Sequence, residues 1–385
     1  MKEDLYFDYN GSTPVHPRVA EVVAAQMRDV PGNAAAAHPA GRAARAAIQR
    51  ARAEIARGIG ARAGEVWCTS GGTESNNWAL VSSARHAGRG HLVVSAIEHK
   101  SVLAAARVLE REGFDLSVVA PRADGRVDPA HVAAALRDDT FLVSLMLSNN
   151  ETGVVQPAAD VGRLCRERGV RFHTDAVCSI GRIPVDVGEL GCDLLSLSSH
   201  KLYAPKGAGV LFVREGVELP PLIHGCGQQE GMRSGTENTP GVVGFGAAME
   251  LYRKGELPAP AELAALRDEL WERIAAAFAG ARRNGAGEVL PNTLNVFFPG
   301  CPSYELQAAL GAEGASVAAG AAGSTGEPSH VLRAMGLPDD RARCSVRFSL
   351  GAGTSRAALE RLVAALGRAV ARCERGAQAS LETRP

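Results

Sequence analysis

A lysine and a carboxylate each follow an apolar run in this chain, and together they could do the chemistry of one cofactor. Lys201 stands in Ser199–Lys201, just after the run 193–197, and Asp175 ends the segment His173–Asp175. A lysine amine forms a Schiff base with an aldehyde, and a carboxylate keeps a pyridine nitrogen protonated so that the ring accepts electrons. The pair predicts pyridoxal phosphate (PLP) and an amino-acid substrate. The alternative for Lys201 is a surface lysine at a strand end.

Three further segments carry residue types that suit such a site. Ser70–Asn77 is a glycine-containing turn before a helix, where backbone N–H groups could bind phosphate or where Ser or Thr could simply cap the helix. His99 could stack on an aromatic cofactor or cap a helix, and its position alone favours the cap. Arg347 could bind a substrate carboxylate through two hydrogen bonds or form a salt bridge with a nearby acid.

Short apolar runs that alternate with helical patterns must position these residues. The predicted strands cover residues 65–69, 91–95, 114–120, 140–147, 170–173, 193–197 and 209–213. Such alternation predicts an α/β fold with a mostly parallel sheet flanked by helices. Ligands bind outside the carboxyl ends of the strands in such sheets, and the polar clusters follow the strands. We therefore expect Ser70–Asn77, Asn149–Thr152, Asp175 and Ser198–Lys201 to converge.

The pattern changes after about residue 255, at the break Pro258–Pro260. An amphipathic helix at 261–278, strands at 294–298 and 345–349, and a helix at 357–372 follow. We predict a large PLP-binding domain at 17–255. We predict a smaller α+β domain, which carries Arg347, from residues 1–16 and 256–385.

Composition narrows the class of protein. The 385 residues carry no formal net charge, which gives no reason to expect a nucleic-acid or anionic-membrane partner. No apolar run reaches about 18 residues, and the first residues lack an apolar signal core, so we expect no membrane span and a cytoplasmic protein. The eight cysteines include no CxxC pair, and we expect no metal site.

The chain resembles the class V, fold-type I PLP enzymes, in the branch of the cysteine desulfurases and selenocysteine lyases. The resemblance extends from Tyr6 to Gly351 and implies the PLP fold-type I architecture. It rests on the following blocks, which occur in the order typical of the family: Thr69–Asn77, Glu98–His99, Asn149–Gly153, His173–Ala176, Ser199–Lys201, Arg233–Asn238 and Glu327–Gly336.

The resemblance implies a role for each matching residue. Lys201 would hold PLP as a Schiff base and act in catalysis, Asp175 would pair with the pyridine nitrogen, and His99 would stack on the ring and act in catalysis. Asn150 would lie near the phenolic oxygen of the cofactor and the substrate. The residues that would hold the phosphate are Gly72, Thr73, Ser198 and His200.

The resemblance also implies contacts with substrate and with a second subunit. Arg347 would bind the substrate carboxylate. Thr236 would reach the phosphate of the neighbouring subunit, so we expect a homodimer with shared active sites. The family's N-terminal substrate-side loop matches at Asn33, His38 and Arg42, although Ala34–Ala37 replaces its usual residues.

The chain departs from the family at the lid, the mobile loop that matches residues 316–327 and that the smaller domain would carry. In the family a lid cysteine attacks the substrate sulfur and carries away a persulfide. No cysteine stands between Cys301 and Cys344 here. Alignment on the glycine puts Gly323 at that position, and counting back from Glu327 puts Ala321 there. Neither residue is a nucleophile, so a persulfide cannot form on this lid.

Two cysteines stand where the family has other residues. Cys178 replaces a glutamine that donates to the phenolic oxygen of the cofactor, and a thiol is a weaker donor. Cys226 replaces a glycine in the loop that leads to Thr236, and it could serve as a substitute nucleophile. Each could equally be a packing thiol.

These observations predict a PLP enzyme that acts at the Cβ–S or Cβ–Se bond of cysteine or a cysteine derivative. β-Elimination or attack by an external nucleophile would replace the persulfide route, and a sulfur-acceptor protein or small molecule is a further expected partner. The alternatives are a desulfurase that uses Cys226 or has had its lid cysteine replaced, a PLP enzyme acting on a non-sulfur amino acid, and an inactive scaffold.

Overall fold

The computed structural model describes residues 5–320 and 327–382, in which twelve strands form three sheets. A two-stranded sheet pairs β1 (Leu5–Tyr6) with β11 (Ala315–Ser316), and a three-stranded sheet has the order β12-β10-β9, from β9 (Arg282–Arg283), β10 (Thr293–Phe297) and β12 (Ser345–Ser349). The large sheet has the order β2-β8-β7-β6-β5-β3-β4. Its strands are β2 (Val66–Thr69), β3 (His91–Ser95), β4 (Asp115–Val119), β5 (Thr140–Ser144), β6 (Arg171–Asp175), β7 (Leu194–Ser198) and β8 (Gly209–Val213).

The helices of the described residues cover the sheets and connect their strands. Proline opens α1, α2, α5 and α9, where its missing N–H removes no intrahelical bond. The helices are α1 (Pro17–Asp29), α2 (Pro39–Arg57), α3 (Gly72–Ala87), α4 (Lys100–Arg111), α5 (Pro129–Ala135), α6 (Ala158–Glu167), α7 (Val187–Leu190), α8 (Thr239–Arg253), α9 (Pro260–Ala277), α10 (Ser303–Ala312), α11 (His330–Ala334), α12 (Asp339–Arg343) and α13 (Arg356–Glu382).

The large sheet is mostly parallel, which confirms the predicted α/β fold. Strands β3, β4, β5, β6 and β7 pair in parallel, whereas β8 is antiparallel to both of its neighbours, β7 and β2. The connection from β7 to β8 contains only a short 3-10 turn, Ser199–Lys201, and lacks the crossover helix that parallel strands need. Because β8 is antiparallel to both β2 and β7, these two strands are parallel to each other, and their carboxyl ends lie at the same edge of the sheet.

The predicted strand at 140–147 is too long, because β5 ends at Ser144. Beyond that point only the bonds to β6 continue, with the N–H groups of Leu145 and Leu147 donating to the carbonyls of His173 and Asp175. The N–H of Met146 donates to the side chain of Glu98 at 2.7 Å, so a side chain replaces the neighbouring strand as its partner. This early end brings the following turn, residues 149–153, toward the strand ends where the candidate site lies.

Apolar side chains cover both faces of the large sheet. Leu142 and Val143 are neighbours in β5 but belong to different apolar clusters, as expected for strand residues that point to opposite faces. A separate cluster joins Leu5 and Phe7, near the chain start, to apolar residues between Leu263 and Cys373. The division into domains at 17–255 and at 1–16 with 256–385 stays a prediction.

Within residues 5–320 and 327–382, no helix combines the length and apolar character that crossing a membrane requires.

Candidate functional site

A cavity of about 310 Å³ opens at the carboxyl ends of the large sheet's strands. It brings together most of the residues predicted from sequence: Gly72, Thr73, His99, Asn150, Asp175, Cys178, Ser198, His200, Lys201 and Arg347. The residues that line it without having been predicted include Asn10, Gly11, Asn76, Glu151 and His330. Four polar clusters far apart in the sequence therefore converge, as the α/β topology requires.

Lys201 lies in the short turn after β7, with its amine inside the cavity. Its Nζ donates to the backbone carbonyl of Gly11 at 2.8 Å and to that of Asn10. Burial lowers the pKa of Lys201 below its ordinary value; Cys178 opposes that shift and Arg347 adds to it. An amine that loses its proton more easily is a better nucleophile toward an aldehyde.

Asp175, the last residue of β6, is buried with both carboxylate oxygens engaged. Asn76 Nδ2 donates to Oδ2 at 2.7 Å, and the N–H of Val177 donates to Oδ1 at 2.9 Å. These bonds fix the direction of the carboxylate. Asn76 lies in the predicted block Ser70–Asn77, and its position one turn after Gly72 in α3 was the available signal.

The start of α3 lines one end of the cavity and has the chemistry to bind an anion. The first N–H groups of a helix have no intrahelical partner, and Gly72 is the first residue of α3. A Cβ on Gly72 would stand 2.8 Å from Val177 Cγ2, so the close packing requires glycine. Ser198 and His200 line the same cavity. Burial, with the charges of Lys201 and other cations nearby, lowers the pKa of His200 to about 4.

His99 caps a helix, one of the two alternatives that the sequence left open, and it also lines the cavity. It is the N-cap of α4, where its Nδ1 accepts from the N–H of Ser101 at 3.2 Å, and its ring lines the cavity. Because Nδ1 accepts this bond, the neutral ring carries its proton on Nε2.

Arg347 is 5% exposed in β12, and of its two predicted alternatives the salt bridge to a nearby acid is present. It forms a salt bridge with Asp8, with Nη2 2.6 Å from Oδ1, while Nη1 donates to the carbonyl of Asn150 at 2.9 Å. Nε is buried and has no hydrogen-bond partner among the described residues. The guanidinium therefore lines the cavity with a donor still available for an anion.

The two substituted cysteines occupy different places. All eight cysteines lie in the described part of the chain; seven are buried and Cys226 is exposed. Cys178 lines the cavity, whereas Cys226 does not.

The remaining predicted residues lie outside the cavity of the single chain. Asn33, His38, Arg42 and Thr236 are exposed, and the first two make local turn contacts, since Asn33 Oδ1 accepts from Ala35 and His38 Nδ1 from Gly41. Thr236 follows Arg233, which is held by a salt bridge of 2.8 Å to Glu74 in α3. The predicted lid positions Ala321 and Gly323 lie outside the described residues.

The chemical groups that line this cavity fit PLP. Lys201 supplies an amine with a lowered pKa, Asp175 a fixed carboxylate, and the close-packed start of α3 at Gly72 an anion site. The unpartnered Nε of Arg347 adds a donor for a carboxylate. Among the described residues, no group of three or more His, Cys, Asp or Glu side chains is arranged to hold a metal ion.

Comparisons with known proteins agree with this geometry. The family model "Aminotransferase class-V" matches residues 5–362. The cysteine desulfurase IscS of Anaeromyxobacter dehalogenans (strain 2CP-C) is 45% identical over 91% of this chain and 88% of its own length, and that of Dictyoglomus turgidum (strain DSM 6724 / Z-1310) is 40% identical over 92% of each. A solved NifS-like protein has a TM-score of 0.89 at 34% identity, covering 96% of this chain and 99% of its own. A structure described as SspA in complex with cysteine has a TM-score of 0.80 at 40% identity, covering 90% and 98%.

Proposed function

We propose that this chain cleaves the Cβ–S or Cβ–Se bond of cysteine or a cysteine derivative. The chain belongs to the class-V aminotransferase family and, within it, to the PLP-dependent, cysteine desulfurase-like enzymes. The observation that carries this proposal is the meeting of Lys201, Asp175 and Arg347 in one cavity. The cysteine bound to the related SspA supports a substrate of this size and charge.

The chain's own residues divide the work. When bound, PLP supplies an electron-accepting ring that stabilises negative charge at the substrate Cα. Asp175, fixed by Asn76, holds the proton of the ring nitrogen, and Arg347 orients the substrate through its carboxylate. Lys201 Nζ then takes the proton from Cα, which its lowered pKa favours.

The fate of the sulfur distinguishes this chain from its relatives in the proposal. Since no cysteine stands between Cys301 and Cys344, we propose β-elimination or attack by an external nucleophile in place of a lid persulfide. A sulfur-acceptor protein or small molecule would then take sulfide from solution or from the cavity. Use of Cys226 would instead require this exposed thiol to reach an active site that its own chain does not bring it to.

We also propose a homodimer with shared sites. Thr236 is exposed, and the salt bridge between Arg233 and Glu74 holds its loop beside the start of α3. Large apolar side chains are also exposed at Val22 and Met27 on helix α1 and at Ile223 in the loop before Thr236. Burial of such surface against a second copy is favourable. The mass of the purified protein in solution, measured by light scattering, tests the dimer.

Product analysis tests the reaction. The purified, PLP-loaded protein would be incubated with L-cysteine, L-selenocysteine, cysteine sulfinate and S-substituted cysteines, with Lys201→Ala as the inactive control. Pyruvate, ammonia and sulfide in equal amounts support β-elimination. Alanine with enzyme-bound sulfur would instead identify a desulfurase, and Cys226→Ser would show whether that sulfur is on Cys226. Turnover confined to amino acids without sulfur, or a protein that shows no visible cofactor absorbance, contradicts the proposal.

A further inference from the structure

His330 is one of three histidines that line the cavity, with His99 and His200, and the proposed reaction gives it no role. It is the first residue of α11 and directly follows the lid segment in the chain. Its ring lines the same cavity as Lys201, His99 and Arg347.

The hydrogen bonds of His330 determine which ring nitrogen carries the proton. Nε2 lies 3.0 Å from the backbone carbonyl oxygen of Glu98. A carbonyl oxygen only accepts, so Nε2 must be the protonated nitrogen. In the neutral ring Nδ1 then has a free lone pair, and it is buried with no hydrogen-bond partner among the described residues.

The carbonyl that receives this bond is held from several sides. Glu98 Oε1 accepts from Ser95 Oγ and from the N–H of Met146, both at 2.7 Å. One residue earlier, the carbonyl of Ile97 accepts from Asn149 Nδ2 at 2.9 Å. Glu98 is therefore fixed by its own side chain, and its carbonyl provides a rigid acceptor.

The other side of His330 is fixed as well. Ser329 caps α11, because its Oγ accepts from the N–H of Leu332 at 3.2 Å, and the same hydroxyl donates to Glu151 Oε2. Glu151 lies in the buried turn that Asn149 Oδ1 holds through the N–H of Glu151 at 2.9 Å. The ring is thus locked in orientation, with Nδ1 as its one nitrogen left for proton transfer.

We propose that His330 is the proton donor to the sulfur that leaves the substrate Cβ. The proposal rests on the proposed β-elimination and deepens it by naming the acid. Sulfur that leaves as the sulfide dianion or as a basic thiolate is a poor leaving group, and a positioned acid that gives it a proton in the transition state assists its departure. A family-type lid thiol would have taken the sulfur instead, so a chain without that thiol needs this proton.

The step balances without an oxidant or reductant. The Cα–H bond breaks and its proton goes to Lys201 Nζ. The Cβ–S bond breaks with its electron pair on sulfur, and the His330 imidazolium gives its Nδ1 proton to that sulfur. The neutral ring keeps its Nε2–H bond to Glu98. Water then hydrolyses the remaining three-carbon fragment, which is released as pyruvate and ammonium. His330 regains a proton from solvent.

The test compares two leaving groups in His330→Gln. The glutamine amide keeps an N–H that can donate to the Glu98 carbonyl but cannot transfer a proton. L-Cysteine needs protonation of its leaving sulfur, whereas 3-chloro-L-alanine, of similar size, releases chloride without it. We expect pyruvate formation from L-cysteine to fall on the order of 100-fold. Pyruvate formation from 3-chloro-L-alanine should stay within about threefold, which also shows that the variant is folded.

The outcomes separate the inference from the function on which it rests. Equal losses on both substrates would mean that His330 only positions the site, and unchanged rates on both would mean that it has no part; either overturns the inference. Wild-type protein that forms alanine from L-cysteine overturns β-elimination and the inference with it. Nitrogen-edited NMR of the apoenzyme gives a readout independent of activity, and a neutral His330 protonated on Nδ1 would contradict the geometry.

Discussion

Replacing Glu98 by glutamine should stabilise the folded protein at alkaline pH. Glu98 is fully buried; Oε1 accepts from Ser95 and Met146, and Oε2 has no hydrogen-bond partner among the described residues. Burial, only partly offset by these two hydrogen bonds and reinforced by the negative charge of Asp175, raises the pKa of Glu98 to about 8. The carboxyl thus keeps its proton in the folded state at neutral pH. Glutamine has nearly the same shape and no proton to lose.

The size and sign of the effect follow from this pKa. The unfolded carboxyl loses its proton near pH 4.5, whereas the folded one keeps it to about pH 8. Between these values the folded state binds more protons, so stability is lost as pH rises and stays low above pH 8. At about 1.4 kcal/mol per pKa unit, the loss between pH 5 and pH 9 is roughly 4 kcal/mol. For a chain of 385 residues this corresponds to about 5 °C in Tm.

Thermal unfolding of the PLP-loaded wild type and Glu98→Gln at pH 5 and pH 9 measures this effect. The Tm difference, variant minus wild type, should grow by about 5 °C between the two pH values. Glu98→Ala is the matched control, because it loses the bonds to Ser95 and Met146 and should lower stability at pH 5, where glutamine does not. A Tm difference between wild type and Glu98→Gln that does not change with pH would show that Glu98 is ionised in the fold, and the argument from burial would be refuted.

Three other substitutions test the site by independent measurements. Arg347→Ala should raise KM for L-cysteine roughly 30-fold or more with a smaller change in kcat, because it removes a charged hydrogen-bond donor to the substrate carboxylate; an unchanged KM would refute that role. Asn76→Ala should weaken PLP affinity, measured by titration of the apoenzyme, since Asp175 loses its 2.7 Å donor. Asn77→Ala should not, because the half-buried Asn77 side chain donates to the Thr73 carbonyl within α3 and not to Asp175. Cys178→Gln should shift the pH midpoint of the visible cofactor absorbance, because an amide donates more strongly than a thiol; the same midpoint in both proteins would contradict this.

The sheet and most of the cavity could be predicted because they follow from local pattern and topology. Asp175 ends β6 and Lys201 lies in the turn that follows β7, and parallel strands bring such positions to one edge. Strand β8, which is antiparallel to its neighbours, has the same apolar pattern as the parallel strands of the sheet. Its direction depends on the short connection before it, which a pattern of buried residues does not reveal.

The residues that sequence reasoning missed are those placed by contacts between distant segments. Asn10 donates to Thr293 Oγ1 at 2.8 Å, across most of the chain, and its carbonyl accepts from Lys201. His330 was quoted within a matching block, but its free Nδ1 depends on a carbonyl that lies at the end of another strand–turn segment. No periodicity encodes such approaches, because they arise when elements pack.

The first residues of the described chain connect the two cations of the site. Asp8 pairs with Arg347, and the carbonyls of Asn10 and Gly11 accept from Lys201. In the proposed reaction Lys201 would exchange these carbonyls for an aldehyde, and Arg347 would offer its unpartnered Nε, or Nη2 in place of Asp8, to a substrate carboxylate. Neutral carbonyls favour the protonated amine less than a carboxylate at the same distance would, and burial keeps the pKa of Lys201 below its ordinary value although Asp8 opposes that shift. The salt bridge compensates the buried charge of Arg347 until an anion arrives. Segment 8–11 therefore keeps both groups in place while leaving each able to change partner.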